Sequence, residues 1–445
     1  MAALLLAAAA ATSRPPHAAG AKSKRPNILL VITDDQRSGL SVMPQTRRLL
    51  GRNGVTFADA YAPTPLCCPA RASIFTGRYA HNHGVRKNAE FHFLNHDKTL
   101  QRYLDEAGYR TGIIGKFFSR WPLRKPPPHF DKYIIRKPTN DYFHSVFSRN
   151  GKRRIVNRYT TNFISDKAED FLRGADKRSD SRPWLLTVTP QAPHTPFTPA
   201  RKYETWEPPR WEGNPALEED DKSDKPPYVQ GAEAPPRRGH NIRRKQFRTL
   251  QSVDDMMGDL GSTLHKLDEM SNTLIIFVSD NGLMWAEHGL LKKGLPYQQS
   301  IGVPMLMRWD GHLKAGSVDK RLVSLVDLAP TILAAAGLED RPAGRLDGRS
   351  LLNGKWERTR SLHEYWAPDG ENRGDWAALH TKDYQYNEYY DQAGNVIFRE
   401  YYDLNADPWE LENLLGDLNP LNDPDVAALS EKLADDRSCR GPSCP

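Results

Sequence analysis

Cysteine is scarce in this chain, with four among 445 residues. So few thiols supply no disulfide framework for a fold of this length, which must rest instead on a packed apolar core. Long hydrophobic runs are also missing. Beyond the N-terminal segment none reaches the ~20 apolar positions of a membrane helix, so stable membrane insertion is not expected. No Asn-x-Ser/Thr sequon occurs, which excludes a heavily N-glycosylated product. No internal repeat is visible. What is present is ordinary: 38% hydrophobic, 26% charged and 9% aromatic residues, the balance of a globular chain rather than a disordered or fibrous one. The net charge of +7 favours an anionic partner: nucleic acid, acidic membrane, or a sulfated or phosphorylated substrate.

The N-terminus, MAALLLAAAAATSRPPHAAGAKSKRPN, has a short apolar run at 3–11 and Ala-Gly-Ala at 19–21. This pattern is compatible with an export signal over residues 1–25, although the usual basic start is missing; a flexible tail is the alternative. With a signal the protein is secreted or otherwise exported, and without one it stays cytoplasmic. At the other end, RSCRGPSCP places Cys439 and Cys444 around a Gly-Pro turn. A small disulfide loop there fits an oxidising compartment; two free surface thiols are the other reading.

Four apolar runs read as buried strands: NILLVIT at 27–33, YRTGIIG at 109–115, WLLTVTP at 184–190 and TLIIFVSD at 273–280. Helical patterns lie between them, at 46–54, 99–108 and 246–270. The alternation predicts an α/β fold, a large mostly parallel mixed sheet sandwiched by helices, over residues 26–357. Residues 205–245, rich in proline and charge, read as a long surface excursion. Its basic run Arg237, Arg238, Arg243, Arg244 and Lys245 forms a solvated face or greets a polyanion. From residue 358 the texture turns aromatic and alternating. Gln392-Ala393-Gly394-Asn395 separates two strand patterns, predicting an antiparallel hairpin in a smaller C-terminal α+β subdomain, 358–445, that ends in the Cys439/Cys444 tail. DPWELENLL at 407–415 reads as a packing helix.

Two of the four cysteines stand side by side in PLCCPARASIFTG, residues 65–77. Pro69 suits the first turn of a helix and Gly77 its C-cap. Cys67 then lies at the mouth of that helix, where backbone N–H groups favour negative charge. Arg71, one turn on, returns its guanidinium to the same face. A thiolate at this mouth would be activated; two small buried hydrophobes are the plainer reading. Asp34 and Asp35 follow the first apolar strand, and Asp280 and Asn281 follow TLIIFVS. Ligands of open α/β sheets bind beyond the carboxyl ends of strands, so these pairs are able to meet. Four oxygen donors describe a hard cation such as Ca²⁺ rather than zinc, while either pair alone would read as an Asx-turn.

Cys67-Cys68-Pro69-Ala70-Arg71 resembles the Cys-x-Pro-(Ser/Ala)-Arg motif of the sulfatases. The likeness continues through Ser73-Ile74-Phe75-Thr76-Gly77-Arg78 and spans nearly the whole chain, from RPNILLVITDDQ to the C-terminal hairpin. It implies the formylglycine-dependent, alkaline-phosphatase-like superfamily. It implies that a separate formylglycine-generating enzyme converts Cys67, that Cys68 is a bystander, and that Asp34, Asp35, Asp280, Asn281 and the modified Cys67 hold one Ca²⁺. It adds Lys116, which closes YRTGIIGK, His194 in PQAPHTPF, and Lys293 in KKGLPY; Tyr297 selects Lys293 over Lys292, which reads as solvated. GKFF, PHTPF and YAHNHGV are most similar to the N-acetylglucosamine-6-sulfatase branch. The implied substrate is a sulfated carbohydrate, such as one from a glycosaminoglycan, or an aryl sulfate; nucleic acid is not implied.

The implied reaction hydrolyses a sulfate monoester. A hydrated aldehyde carries two hydroxyls on one carbon. One attacks sulfur and displaces the alcohol; the other loses its proton and expels sulfate as the aldehyde reforms. A serine or cysteine lacks that second hydroxyl. In this scheme Ca²⁺ is Lewis acid and template. Arg71 stabilises the hydrate, Lys116 and Lys293 hold sulfate oxygens, and His194 protonates the leaving oxygen or binds sulfate.

Two departures from the family pattern stand out. Many arylsulfatases carry a histidine where this chain has Phe118. The family's Tyr-Glu-x-x-x-Arg-Val-Pro reads Tyr297-Gln298-Gln299-Ser300-Ile301-Gly302-Val303-Pro304, which we read as a structural pair lost together. His81, His83 and His288 are packing or hydrogen-bonding histidines, or line the pocket. One rival reading is a phosphodiesterase or phosphonate monoester hydrolase of the same superfamily, which tends to have Asp-His where Asp280-Asn281 stand; an amide oxygen suits Ca²⁺ better than imidazole does. The other rival is a catalytically dead polyanion-binding protein.

Overall fold

The alternation of NILLVIT places Ile28, Leu30 and Ile32 in one apolar cluster and Leu29 and Val31 in a second, on the opposite face of the same strand. A computed structural model of the chain describes residues 25–137, 139, 141–177, 182–342, 346–368 and 370–445. The expected signal or tail segment lies outside them, apart from Arg25.

The strands are β1 Asn27–Thr33, β2 Val55–Tyr61, β3 Arg110–Gly115, β4 Lys132–Arg136, β5 His144–Arg149, β6 Lys152–Asn157, β7 Trp184–Thr189 and β8 Thr273–Ser279. Next come a two-residue pair, β9 Met284–Trp285 and β10 Leu291–Lys292, then β11 Met305–Arg308 and β12 Ser317–Ser324. A ten-stranded sheet has the order β12-β2-β11-β8-β1-β7-β3-β4-β5-β6. Its centre, β8-β1-β7-β3-β4, is parallel throughout. β11 inserts antiparallel between β8 and β2, and β5 and β6 add an antiparallel flank. The expected mixed, centrally parallel sheet is therefore present. Helices Cys67–Thr76, Leu100–Glu106 and Leu328–Ala335 pack on one face, and Thr160–Asp176 and Pro236–Lys266 on the other. The edge strand β6 exposes Lys152, Arg153, Arg154 and Ile155, with Ile155 68% exposed.

A second, four-stranded antiparallel sheet follows, of β13 Ser361–Tyr365, β14 Asp375–His380, β15 Tyr384–Tyr390 and β16 Val396–Asp403. The turn between β15 and β16 falls on the expected residues, with Gly394 at φ +84°. Cys439 and Cys444 are disulfide-bonded after the helix Val426–Ser438.

Two expectations need correcting. The long helix begins at Pro236, not 246, so the basic run belongs to it rather than to the excursion. Proline is favourable at the first helical position, and Gly239 is required there because a Cβ would lie 1.6 Å from the Trp285 carbonyl oxygen. Arg237, Arg238, Arg244 and Lys245 are exposed on this helix, while Arg243 lies over Phe247. Residues 407–415 form turns, not a helix. There the Glu410 carboxylate accepts from the Gln298 backbone N–H and from Gln385 Nε2, and Glu410 itself takes φ +61°. This long-range capture outweighs local helix propensity.

Candidate active site

β1 and β8 run side by side in parallel, with Thr33 opposite Ser279. The residues that follow each strand must therefore emerge together. Asp35 turns left-handed at φ +67° and its N–H donates to Asp280 Oδ1 at 3.1 Å. Asn281 Nδ2 donates to Asp35 Oδ1 at 2.8 Å. Asp34, Asp35, Asp280 and Asn281 are all buried.

Cys67 opens the helix Cys67–Thr76, whose N-cap, Leu66, offers no side-chain cap; Gly77 closes it at φ +65°. The Cys67 thiol lies 3.4 Å from Asp34 Oδ1, and Lys293 Nζ donates to its sulfur at 2.8 Å. Cys68 points elsewhere, its buried sulfur accepting from the Ser119 N–H. Arg71 is wholly buried. Its Nε donates to Asp280 Oδ2 at 2.9 Å and its Nη1 to the Lys116 carbonyl at 2.7 Å. Nη2 has no hydrogen-bond partner among the described residues. Lys116, just past β3, pairs with Asp34 Oδ2 at 2.6 Å. Lys293 also pairs with Asp35 Oδ1 and reaches Asn281 Oδ1 at 3.3 Å. His194 donates from Nδ1 to the Thr195 carbonyl at 2.7 Å and sets Nε2 3.7 Å from Asp35 Oδ2. All nine residues singled out in the sequence thus share one cluster at the carboxyl end of the sheet.

Burial pushes the Asp34 carboxyl up, but Lys116, His194, Arg71 and Lys293 together hold it well below the usual carboxylate range. Asp280 moves the other way, raised by burial and by the neighbouring Asp34 charge. Burial lowers the ammonium groups of Lys116 and Lys293, yet Asp34 and Asp35 respectively outweigh it and raise both. An activated thiolate at Cys67 is not what the surroundings favour. Burial pushes this thiol well up, more than Lys116 and Lys293 pull it down.

The cluster offers ligand atoms to a metal ion: the oxygens of Asp34, Asp35, Asp280 and Asn281 are of the kind a hard cation takes, and the thiol of Cys67 and the imidazole of His194 stand among them. One ligand atom each from Asp34, Asp35, Cys67 and His194 lies within 4.8 Å of the others, and the Asp280 and Asn281 oxygens adjoin them. The Lys293 ammonium already sits where Asp35, Asn281 and Cys67 converge, so these groups are arranged around a positive charge.

Several supporting residues carried no signal in the sequence. Gln246, on the long helix, donates to the carbonyls of Asp35 at 2.9 Å and Pro193 at 3.3 Å, tying the acid pair to the His194 loop. Tyr142 donates to the His194 carbonyl at 2.6 Å. Phe118 is buried among Phe75, Phe91, Phe117 and Trp121, so the departure at that position belongs to an aromatic core. His81, His83 and His288 are all engaged in hydrogen bonds, to Glu364, Ser73 and Glu219.

The family profile described as Sulfatase matches residues 26–338, and one described as N-sulphoglucosamine sulphohydrolase, C-terminal, matches residues 286–438. The chain belongs to the sulfatase family. It is a sulfuric ester hydrolase. Human N-acetylglucosamine-6-sulfatase is 30% identical, covering 95% of this chain and 86% of that one. The extracellular sulfatase SULF-1 homolog of Drosophila melanogaster is 32% identical over 78% of this sulfatase, which spans only 33% of the fly protein's length. A solved structure of a protein in complex with its substrate D-glucosamine-2-N,6-O-disulfate superposes with a TM-score of 0.80 at 25% identity, covering 92% of this chain and 97% of that one.

Proposed function

We propose that this sulfatase hydrolyses a sulfate monoester on a sulfated sugar such as N-acetylglucosamine 6-sulfate. Cys67 acts as formylglycine, and Asp34, Asp35, Asp280 and Asn281 hold one Ca²⁺. The reading rests on the convergence of Cys67, three carboxylates and three cations at one helix mouth. The human relative's name and the neighbour's bound glucosamine disulfate support the sugar. The fly relative's extracellular designation and the Cys439–Cys444 disulfide support export. Residues 26–357 then form the catalytic unit and 358–445 its companion.

An ion held by Asp34, Asp35, Asp280 and Asn281 would supply Lewis acidity and a template, and a hydrated aldehyde at position 67 would supply the nucleophilic hydroxyl and a second one to expel sulfate. The remaining work falls to the chain's own groups. A buried neutral thiol is a poor nucleophile, so unconverted Cys67 is inert. Arg71 is locked by Asp280 and the Lys116 carbonyl, which leaves Nη2 as a fixed donor for an incoming oxygen. Lys116 and Lys293 supply the positive charges that hold sulfate oxygens. His194 commits Nδ1–H to Thr195, so it delivers a proton to the leaving oxygen from Nε2 as imidazolium, with Asp35 stabilising that charge.

The test compares rates on a nitrophenyl sulfate, the matching phosphate diester and N-acetylglucosamine 6-sulfate, using protein whose Cys67 peptide is weighed. Conversion lowers that peptide by ~18 Da. A faster diester would make the chain a phosphodiesterase. An unmodified Cys67 from the native host would favour the polyanion-binding reading. Turnover of the aryl sulfate without the sugar sulfate would remove the sugar assignment alone.

A further inference from the structure

The loop that carries Lys293 is conformationally awkward. Lys292 adopts φ +76° and Gly294 φ +82°, so left-handed residues flank Lys293 on both sides. A Cβ at position 294 would lie 2.7 Å from the Tyr365 ring, which restricts the position to glycine. A non-glycine residue in this region persists only where its surroundings over-determine it. Lys292 is held by its pairing with Met284 in the β9–β10 pair, and the two residues after it are held from the C-terminal subdomain.

Trp376, on β14, donates from Nε1 to the Gly294 carbonyl at 3.0 Å. Arg373, in the connection between β13 and β14, donates from Nη1 to the Lys293 carbonyl at 2.7 Å and more weakly to that of Gly294 at 3.5 Å. The guanidinium is itself fixed. Its Nη2 donates to Glu371 Oε1 at 2.8 Å, and the other Glu371 oxygen accepts from the Tyr365 hydroxyl at 3.0 Å. Tyr365 stacks on Trp376 at 5.8 Å and lies beneath the Arg373 guanidinium. Two donors, one on β14 and one in the connection that leads to it, thus converge on two consecutive carbonyls, and the side chain of the first of these two residues delivers an ammonium to Asp35 and Cys67.

We propose that Arg373 and Trp376 are positioning residues. Together they clamp the Lys293 backbone so that its ammonium meets the sulfate group, which makes the C-terminal sheet part of the catalytic apparatus. This rests on the reading of Lys293 as a sulfate-holding group. Neither Arg373 nor Trp376 touches the cluster itself; each acts through Lys293.

The experiment is a double-mutant cycle. R373A, R373K and W376F are made alone and in the K293A background, and kcat and KM on a nitrophenyl sulfate are measured separately. Affinity for inorganic sulfate is measured by calorimetry on unconverted protein. Thermal unfolding of each variant separates misplacement from loss of fold, and W376F, which keeps an aromatic side chain but removes the Nε1 donor, covers the case in which R373A does not fold. A displaced reacting group costs on the order of 10²-fold, so R373A should lower kcat/KM on that scale and weaken sulfate binding, with R373K recovering part of both. In the K293A background R373A should add less than about twofold, because its effect has no carrier left. Losses that multiply independently in the double variant, or full activity in both R373A and W376F, overturn the clamp. Full activity and unchanged sulfate binding in K293A would instead remove the assignment of Lys293, and the clamp with it.

Discussion

At the carboxyl end of the large sheet, Asp34, Asp35 and Asp280 are met by the full positive charges of Lys116, Lys293 and Arg71. In the C-terminal sheet, the equally buried Glu400 is met by neutral donors: the hydroxyls of Tyr297, Tyr389 and Tyr402 and the amide of Asn387, at 2.7–2.9 Å. Among the described residues Glu410 likewise takes a backbone N–H and a glutamine amide, and burial raises its carboxyl well above the usual range. The two solutions differ in what they permit. Neutral hydrogen bonds satisfy a buried oxygen and hold elements in register. Opposed full charges are costly to desolvate, and they suit a place where ions must arrive and leave.

Substitutions sharpen this contrast. The largest expected effect is C67A, which should reduce sulfate-ester turnover to background while the protein stays folded; retained turnover would move the chemistry away from this cluster. K116A should follow, costing ~10²–10³ in kcat. Because it strands the Asp34 carboxylate without its nearest cation, it should also destabilise the fold by roughly 3–5 kcal/mol, read from the denaturant midpoint. An unchanged midpoint would mean that the pair contributes no net stability.

Acid provides the next test. Burial holds His83, His363 and His380 neutral, down to about 3, 3 and 4 respectively. His83 shows why: its Nδ1 accepts from the Val85 N–H while Nε2 faces Ser73, a pattern suited to the neutral ring. The unfolded chain takes up these protons near pH 6.5 and the folded one does not, so stability falls as pH drops below that value. Each histidine should cost on the order of 2 kcal/mol between pH 7 and pH 5. Denaturant unfolding at the two pH values measures this, and equal stabilities would contradict it. The smallest effect expected is that of Y389F, which removes one of the donors to Glu400. It should cost ~1 kcal/mol and leave kcat unchanged, since the neutral network supports the fold rather than the chemistry.

Much of the site was legible because its residues sit at punctuation points of the chain. Asp34 and Asp35 end one apolar run, Asp280 and Asn281 end another, and Cys67 opens a helix framed by Pro69 and Gly77. Strand ends on a parallel sheet share a rim, so position in sequence became position in space. Residues that act across long separations left no such mark. Gln246 reaches Asp35 from 211 positions away and Arg373 reaches Lys293 from 80, and neither belongs to a local pattern. The mistaken helix at 407–415 fails for the same reason, since its glutamate is claimed by a distant backbone. The late start assigned to the long helix came from reading the proline- and charge-rich residues 205–245 as one surface excursion. Pro236 is instead a helix opener, and Gly239 makes room for a crossing chain.

The outermost strand, Lys152–Asn157, ends the large sheet with an open row of backbone groups and the exposed side chain of Ile155. Such an edge is a template for extension of the ladder by an identical molecule, and Lys152, Arg153 and Arg154 stand on it in succession. Two copies approaching rim to rim would bring like charges together before any bond formed. Any self-association through this rim should therefore depend on ionic strength, opposed in dilute buffer and favoured as salt shortens the reach of the repulsion.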